Sequence, residues 1–276
     1  INTFCPSPID AEDGDPTPFL DFIRALVPDE KDRFELERWC ATLIARPDVR
    51  MLYGVLMVSE TQGIGKGTLG EKILAPLVGT QNVSYPSEQE IVESQFNYWL
   101  AHKRLAVVHE IYAGSSSKAY NKLKSNITDK YLTVQKKYQA NYEIENWIHI
   151  FACSNSHRAL KLSMDDRRWF VPMLTEDKRP TAYWEDLNDW LSNRGGLGII
   201  KRWAENFVTQ HGPVEHGAPA PWSLVKKLMI EEAYSPGQAL VAQFLNELQK
   251  RVEEGELSPD IFVLDSQLVA LIRNNL

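Results

Sequence analysis

Two spacings of apolar residues alternate along the chain. Phe19, Phe22, Ile23, Leu26 and Val27 recur at helical intervals, and a second amphipathic stretch runs from Phe34 to Ala45, so residues 1–48 predict a small helical region. Residues 51–58 (MLYGVLMV) are an uninterrupted apolar run of strand length. A glycine-rich turn follows at 59–65, then a predicted helix from about Lys66 to Leu77 and another over 87–100. Leu105–Val108 reads as a short strand bounded by charges. Residues 131–144 read as a hairpin with Lys136 and Lys137 at its tip. Residues 147–153 (WIHIFAC) and the WFVPML segment after Arg168 are further strand candidates. Strands alternating with helices predict an α/β fold with a mostly parallel sheet covered on both faces. Residues 211–221 (HGPVEHGAPAP) have linker composition, and 222–276 reads mainly as helices, Gln238–Glu253 most clearly. The expected division is 1–48 helical, 49–210 core and 211–276 a C-terminal helical region, either a winged-helix-like module or a packing cap.

A chain of 276 residues, 43% hydrophobic and 24% charged, has length for one or two domains with a real core. No apolar run approaches the roughly 18 residues of a membrane span, and no signal peptide is visible. The sequence begins at Ile1 rather than Met, which suggests a piece of a longer polypeptide. Cys5, Cys40 and Cys153 are widely spaced without a CxxC pair, so neither a zinc site nor a disulfide framework is expected. The net charge of -7 argues against a general nucleic-acid binder, but the charge is unevenly distributed. Between Lys118 and Lys137 stand Lys118, Lys122, Lys124, Lys130, Lys136 and Lys137, with Asp129 the only acid. Tyr131, Tyr138 and Tyr142 interleave with them, and aromatics beside a basic track suit single-stranded nucleic acid. Lys124, Lys136 and Lys137 are the candidate DNA contacts.

The sharpest chemical signal is SETQGIGKGTL, Ser59 to Leu69, between a buried strand and a helix. Gly63 and Gly65 let the main chain curl so that amides of Gln62, Gly63, Ile64, Gly65 and Gly67 converge on an anion, and the helix N-terminus adds partial positive charge. Lys66 would reach the β- and γ-phosphates of ATP, and Thr68 would serve the Mg2+ ion, directly or through water. The match to the consensus is incomplete: Glu60 stands at its first glycine, and Gly67 at its serine or threonine, so the hydroxyl arrives one place late. The GKGT spacing also occurs in small-molecule kinases, which leaves a phosphotransferase as a rival reading.

RLAVVHEI (104–111) brings His109 and Glu110 to a strand's C-terminal end, where ligands bind in open α/β sheets. Glu110 is the candidate carboxylate for polarising water and organising Mg2+. IFACSN ends a later strand with Asn155, and DDRRW supplies Arg167 and Arg168, two candidates for an arginine finger.

This order of phosphate loop, acidic strand end, lysine-bearing hairpin, Asn-ended strand and arginine resembles the superfamily 3 helicases. More closely, Gln62-Gly63, the Ser154-Asn155 strand end and the Asp166-Arg167-Arg168 segment resemble the helicase portion of phage and plasmid primase-helicases, over roughly residues 17–175. The resemblance implies an AAA+-like P-loop fold, a homo-hexameric ring, 3′-to-5′ unwinding of DNA, and an upstream primase-polymerase domain. It implies work in the cytoplasm of a bacterial host. It casts Lys66 and Thr68 as nucleotide ligands and Glu110 as catalytic acid. Asn155 becomes the γ-phosphate sensor, Arg167 or Arg168 the finger, and Lys136 and Lys137 the DNA contacts. His109 departs from the family, which has a carboxylate there, and neutral imidazole cannot replace a carboxylate in organising magnesium hydration. A degenerate module that binds nucleotide and DNA with little hydrolysis is therefore the other reading.

Overall fold

The structure is a computed structural model that describes residues 4–111, 118–233 and 236–256. Five strands form the main sheet: β1 (Gly54–Val58), β2 (Val83–Ser84), β3 (Leu105–Val108), β6 (His149–Ser154) and β7 (Trp169–Phe170). Their spatial order is β2-β3-β6-β1-β7, and every pairing is parallel. Val55 pairs with Phe151 across β1 and β6, and Val107 pairs with Phe151 across β3 and β6. Both faces of these strands are buried, as continuous apolar runs in a parallel sheet require. The result is an α/β fold with a mostly parallel sheet.

Val55, Met57, Val107, Phe151 and Phe170 point into one core shared with the N-terminal helices α1 (Thr17–Leu26) and α2 (Glu30–Ala45). Helix α2 starts at Asp29, whose side chain accepts from the Asp32 amide at 2.8 Å, an N-cap in its ordinary form. Its Trp39 Nε1 donates to the Tyr53 carbonyl just before β1. Two C-terminal helices, α6 (Thr181–Asn193) and α7 (Gly196–His211), close the same core, with Phe34 of α2 against Phe207 of α7 at 5.6 Å. A two-stranded antiparallel hairpin, β4 (Tyr131–Val134) and β5 (Tyr142–Glu145), stands apart from the main sheet, as the pattern over 131–144 predicts.

Three elements differ from the sequence reading. The helix expected over 87–100 is a short α4 (Glu88–Val92) and a 3-10 turn, Tyr98–Leu100. Ser87 and Glu90 form a capping box, but the Ser94 hydroxyl accepts from the Phe96 amide and the Asn97 side chain bonds the hairpin, so both favour turns over a helix. The strand expected over WFVPML stops after Phe170, because Pro172 has no amide and the Met173 amide donates to buried Asp32 instead. The helix after the glycine-rich bend starts at Lys66 and runs as a π-helix over Thr68–Leu74 before α3 (Ala75–Val78).

The chain divides into two compact units, Ile1–Met229 and Ile230–Leu276. The 211–221 segment, read as a linker, lies within the first unit. There Val214 is buried and its amide donates to Thr42 Oγ1 at 2.9 Å. Helix α8 (Leu224–Glu232) begins in the first unit, and the second carries α9 (Pro236–Glu253). Residues 257–276, part of the predicted C-terminal helices, lie outside the described residues. Cys40 and Cys153 are buried free thiols.

His149 staples the sheet's lower edge. Its Nε2 accepts from the Met51 amide at 3.0 Å while its Nδ1 lies 3.1 Å from the Arg104 carbonyl, an arrangement that fits the neutral ring with Nδ1 as donor. Burial, aided by the Arg104 charge, holds its pKa well below the usual value. The stability contributed by the neutral ring is present above the ordinary histidine pKa of about 6.5 and is lost as pH falls below it. His149→Gln keeps one donor and one acceptor, so it should flatten the acid-side fall in unfolding free energy measured by urea titration between pH 7 and 5. An unchanged slope contradicts this role.

Candidate functional site

The bend after β1 is held open by its own geometry. Gly63 and Gly65 have φ of +81° and +114°, in the region that favours glycine. A Cβ on Gly63 would meet nothing, whereas one on Gly65 would lie 2.7 Å from Phe22 Cε2 and 2.8 Å from Trp184 Cη2. Helices α1 and α6 therefore wall the bend. Among the described residues, the amides of Gly63, Ile64 and Gly65 donate to no protein acceptor. Gly63 and Gly65 line a cleft of about 360 Å³ together with Lys66, Thr68, Glu71 and Trp184.

Lys66 is 7% exposed. Its ammonium donates to the Ser59 carbonyl at 2.7 Å, to Asn155 Oδ1 at 2.9 Å and to the Thr61 carbonyl at 3.4 Å. All three acceptors are neutral, and among the described residues no carboxylate forms an ion pair with it. Burial pushes its pKa down, against the more distant Glu176 and Glu110 charges. A desolvated cation without a counter-ion is costly in a core and is the natural receiver of an anion.

Strand order explains how Asn155 reaches Lys66. Strand β6 lies between β1 and β3, so the residue after its last position, Ser154, emerges beside the bend. The Ile111 amide donates to the Cys153 carbonyl at 2.9 Å, which ties the segment after β3 to the same edge. Glu110 is exposed at that edge. His109 is half exposed; its Nδ1 is 2.8 Å from Glu71 Oε1 and its ring stacks on Tyr85 at 5.5 Å.

Sequence reasoning missed Glu176. Its carboxylate accepts from Ser59 Oγ (3.0 Å), the Glu60 amide (3.2 Å) and the Thr61 amide (2.8 Å), so it fixes the rising limb of the bend. Burial pushes its pKa up, but these hydrogen bonds outweigh that and hold it below the usual carboxylate range. Nothing local in TED marks this residue, because its partners lie more than 110 positions away.

The arginines do not line the cleft. Arg167 is exposed and Arg168 half-buried. The neighbouring Asp166 is engaged away from them: Lys226 Nζ lies 3.1 Å from its Oδ1, with both side chains fully buried, and Tyr120 donates to its Oδ2 at 2.7 Å. Asp166 also accepts from the Arg168 and Trp169 amides, so the buried pair sets the main chain that carries both arginines.

At the hairpin tip, Lys136 and Lys137 are exposed, and Lys137 Nζ lies 5.0 Å from the centre of the Tyr138 ring, itself 92% exposed. Tyr131 and Tyr142 are also exposed. Lys124 is half-buried on α5 (Lys118–Thr128), where Lys122 donates to the Ser94 carbonyl; of Lys118 only the backbone is described.

Gly65→Ala meets both positive φ and two aromatic rings, and should lose about 1–3 kcal/mol in urea unfolding. Gly63→Ala meets only the backbone strain and should cost about 1 kcal/mol. Equal losses would contradict the wall formed by Phe22 and Trp184.

Comparison with known proteins adds a setting. A family of unknown function (DUF5906) matches residues 57–168, which holds the bend, both strand ends and the hairpin. A DNA primase-polymerase of Nitratiruptor phage NrS-1 is 27% identical over 141 residues, 49% of this chain and 19% of that protein. The chain thus spans a small part of that relative's length. One apo structure of the NrS-1 C-terminal region aligns over 100% of this chain and 71% of its own, with TM-score 0.71 and 20% identity. A second covers 98% of this chain and 65% of its own, with TM-score 0.67 and 21% identity. The chain has the fold of that C-terminal region and is similar in sequence to a phage DNA primase-polymerase.

Proposed function

We propose that this chain is a P-loop, AAA+-like ATPase module of a phage or plasmid replication protein, and that it spends ATP to move on single-stranded DNA. The observation that carries this reading is the Lys66 ammonium, buried among neutral oxygens at the base of a cleft whose Gly63–Gly65 amides have no acceptor. A triphosphate supplies both the missing counter-ion and the missing acceptors. Gln62, Gly67 and Thr68 extend the cradle.

On binding, Lys66 would turn its ammonium from Ser59 and Asn155 toward the β- and γ-phosphates, and the freed Asn155 amide would face the γ-phosphate. Glu110, at the edge of the same sheet, would accept a proton from the attacking water. Thr68 and Glu110 are hard oxygen donors, which suits Mg2+, an ion that neutralises charge developing on the phosphates. Arg167 or Arg168, outside the cleft, would act on the nucleotide of a neighbouring subunit in a closed hexameric ring. The hairpin would carry Lys136, Lys137 and Tyr138 against DNA, with Lys124 as a further contact. An upstream primase-polymerase domain in the same polypeptide belongs to this reading. The similarity to a phage DNA primase-polymerase supports the replication setting.

A second reading, nucleotide binding with little hydrolysis, is favoured by His109, which meets Glu71 where the family has a carboxylate. Turnover separates the two. Wild type should hydrolyse ATP, faster with single-stranded DNA, and Lys66→Ala should lower the rate on the order of 100-fold or more. Hydrolysis that survives Lys66→Ala contradicts the site; binding without turnover selects the second reading.

Replacing Lys136 and Lys137 together by Ala should reduce the salt slope of single-strand binding by about 1.4, two phosphate contacts at roughly 0.7 each. An unchanged slope removes the hairpin from the DNA path.

A further inference from the structure

The two departures from consensus at the cleft meet at one side chain. Gly67 stands where a phosphate loop has serine or threonine, and His109 where the resembling family has a carboxylate. Glu71 Oε1 is 2.8 Å from His109 Nδ1. A Cβ on Gly67 would lie 3.3 Å from that same oxygen. The Glu71 carboxylate thus leans over Gly67, into the space that a serine or threonine side chain would enter.

Its position is fixed from several sides. The Tyr85 ring lies parallel to His109 within 2°, so the imidazole that holds Glu71 is itself oriented. The preceding residue, Gly70, presses on the sheet: a Cβ there would touch Phe151 and Val107 at 3.0 Å. Glu71, next along the π-helix, lines the cleft with Gly67 and Thr68. The Glu71 side chain stays 46% exposed, open to an incoming cation.

We propose that Glu71 is a second carboxylate, beside Glu110, that orders the magnesium ion accompanying a bound triphosphate, with His109 as its positioning partner. This rests on the nucleotide reading above. Magnesium keeps several waters and is commonly held by one or two carboxylates plus substrate phosphates. Among the described residues, no group of three or more His, Cys, Asp or Glu side chains stands ready to hold a metal, which suits an ion that arrives with phosphates. An imidazole N–H that fixes a carboxylate beside a metal is ordinary outer-shell support. The chain thereby supplies from the phosphate-loop helix the negative charge that is missing at His109.

The electrostatic consequence is specific. A carboxylate facing a triphosphate repels it unless a cation stands between them. Glu71 should therefore weaken metal-free ATP binding and strengthen binding of MgATP.

The test is calorimetric titration of wild type and Glu71→Gln with ATP, once with excess Mg2+ and once with EDTA. The gap between the two affinities should shrink about tenfold in Glu71→Gln, with MgATP weaker and metal-free ATP no weaker. Adding Gly67→Ser to Glu71→Gln should widen the gap again by restoring a consensus hydroxyl. A purely structural role would shift both affinities alike and leave the gap unchanged, which overturns the inference while the nucleotide site stands. Wild type that binds ATP in neither condition overturns the nucleotide reading, and this inference with it.

Discussion

The ammonium of Lys66 sits inside the protein against oxygens that carry no formal charge: two main-chain carbonyls and one amide. Such a group is stable only because it makes three hydrogen bonds and because the Glu176 and Glu110 charges act on it from farther away. The rest of the site follows from this constraint. Ser59 and Thr61 must present their carbonyls to Lys66, so their outward groups need another partner, and Glu176 provides it. Asn155 must stand at the end of the strand next to β1, and the insertion of β6 between β1 and β3 puts it there. Gly65 must carry no side chain, because Phe22 and Trp184 close on it.

The N-terminal and C-terminal helices thus shape the bend and its neighbouring segments as well as the core. Helices α1 and α6 give the wall behind the bend. Helix α8 reaches the arginine segment through Lys226, whose fully buried pair with Asp166 fixes the main chain at Arg168 and Trp169. Removal of either partner would leave a buried charge alone, which is where such pairs are most costly.

Elements written in local pattern were legible in the sequence. The apolar runs at 51–58, 105–108 and 147–153 yielded the parallel strands Gly54–Val58, Leu105–Val108 and His149–Ser154, and the glycines at 63 and 65 took the positive φ that a tight bend demands. The hairpin followed from Thr133 and Val134 leading in, Tyr142 and Ile144 leading out, and Lys136 and Lys137 at the tip. What was not legible depends on partners distant in sequence. Glu176 meets Thr61 across 115 positions, and Asp166 meets Lys226 across 60. Asp166, adjacent in sequence to Arg167, turns inward to the buried Lys226 ammonium, the Tyr120 hydroxyl and two main-chain amides. Glu71 gave no signal, since a glutamate in a helix's first turn is what the helix dipole favours anyway. Only its distances to His109 and Gly67 mark it out.

The central claim is that free amides and a buried ammonium grip a triphosphate, and amide resonances report on it directly. In a 15N-labelled sample, addition of ATP with Mg2+ should shift the Gly63, Ile64 and Gly65 amides strongly, leave Gly212 and Gly217 still, and do so far less in Lys66→Ala. Shifts that spread evenly over the chain, or that leave these three amides in place while ATP binds, would contradict the account.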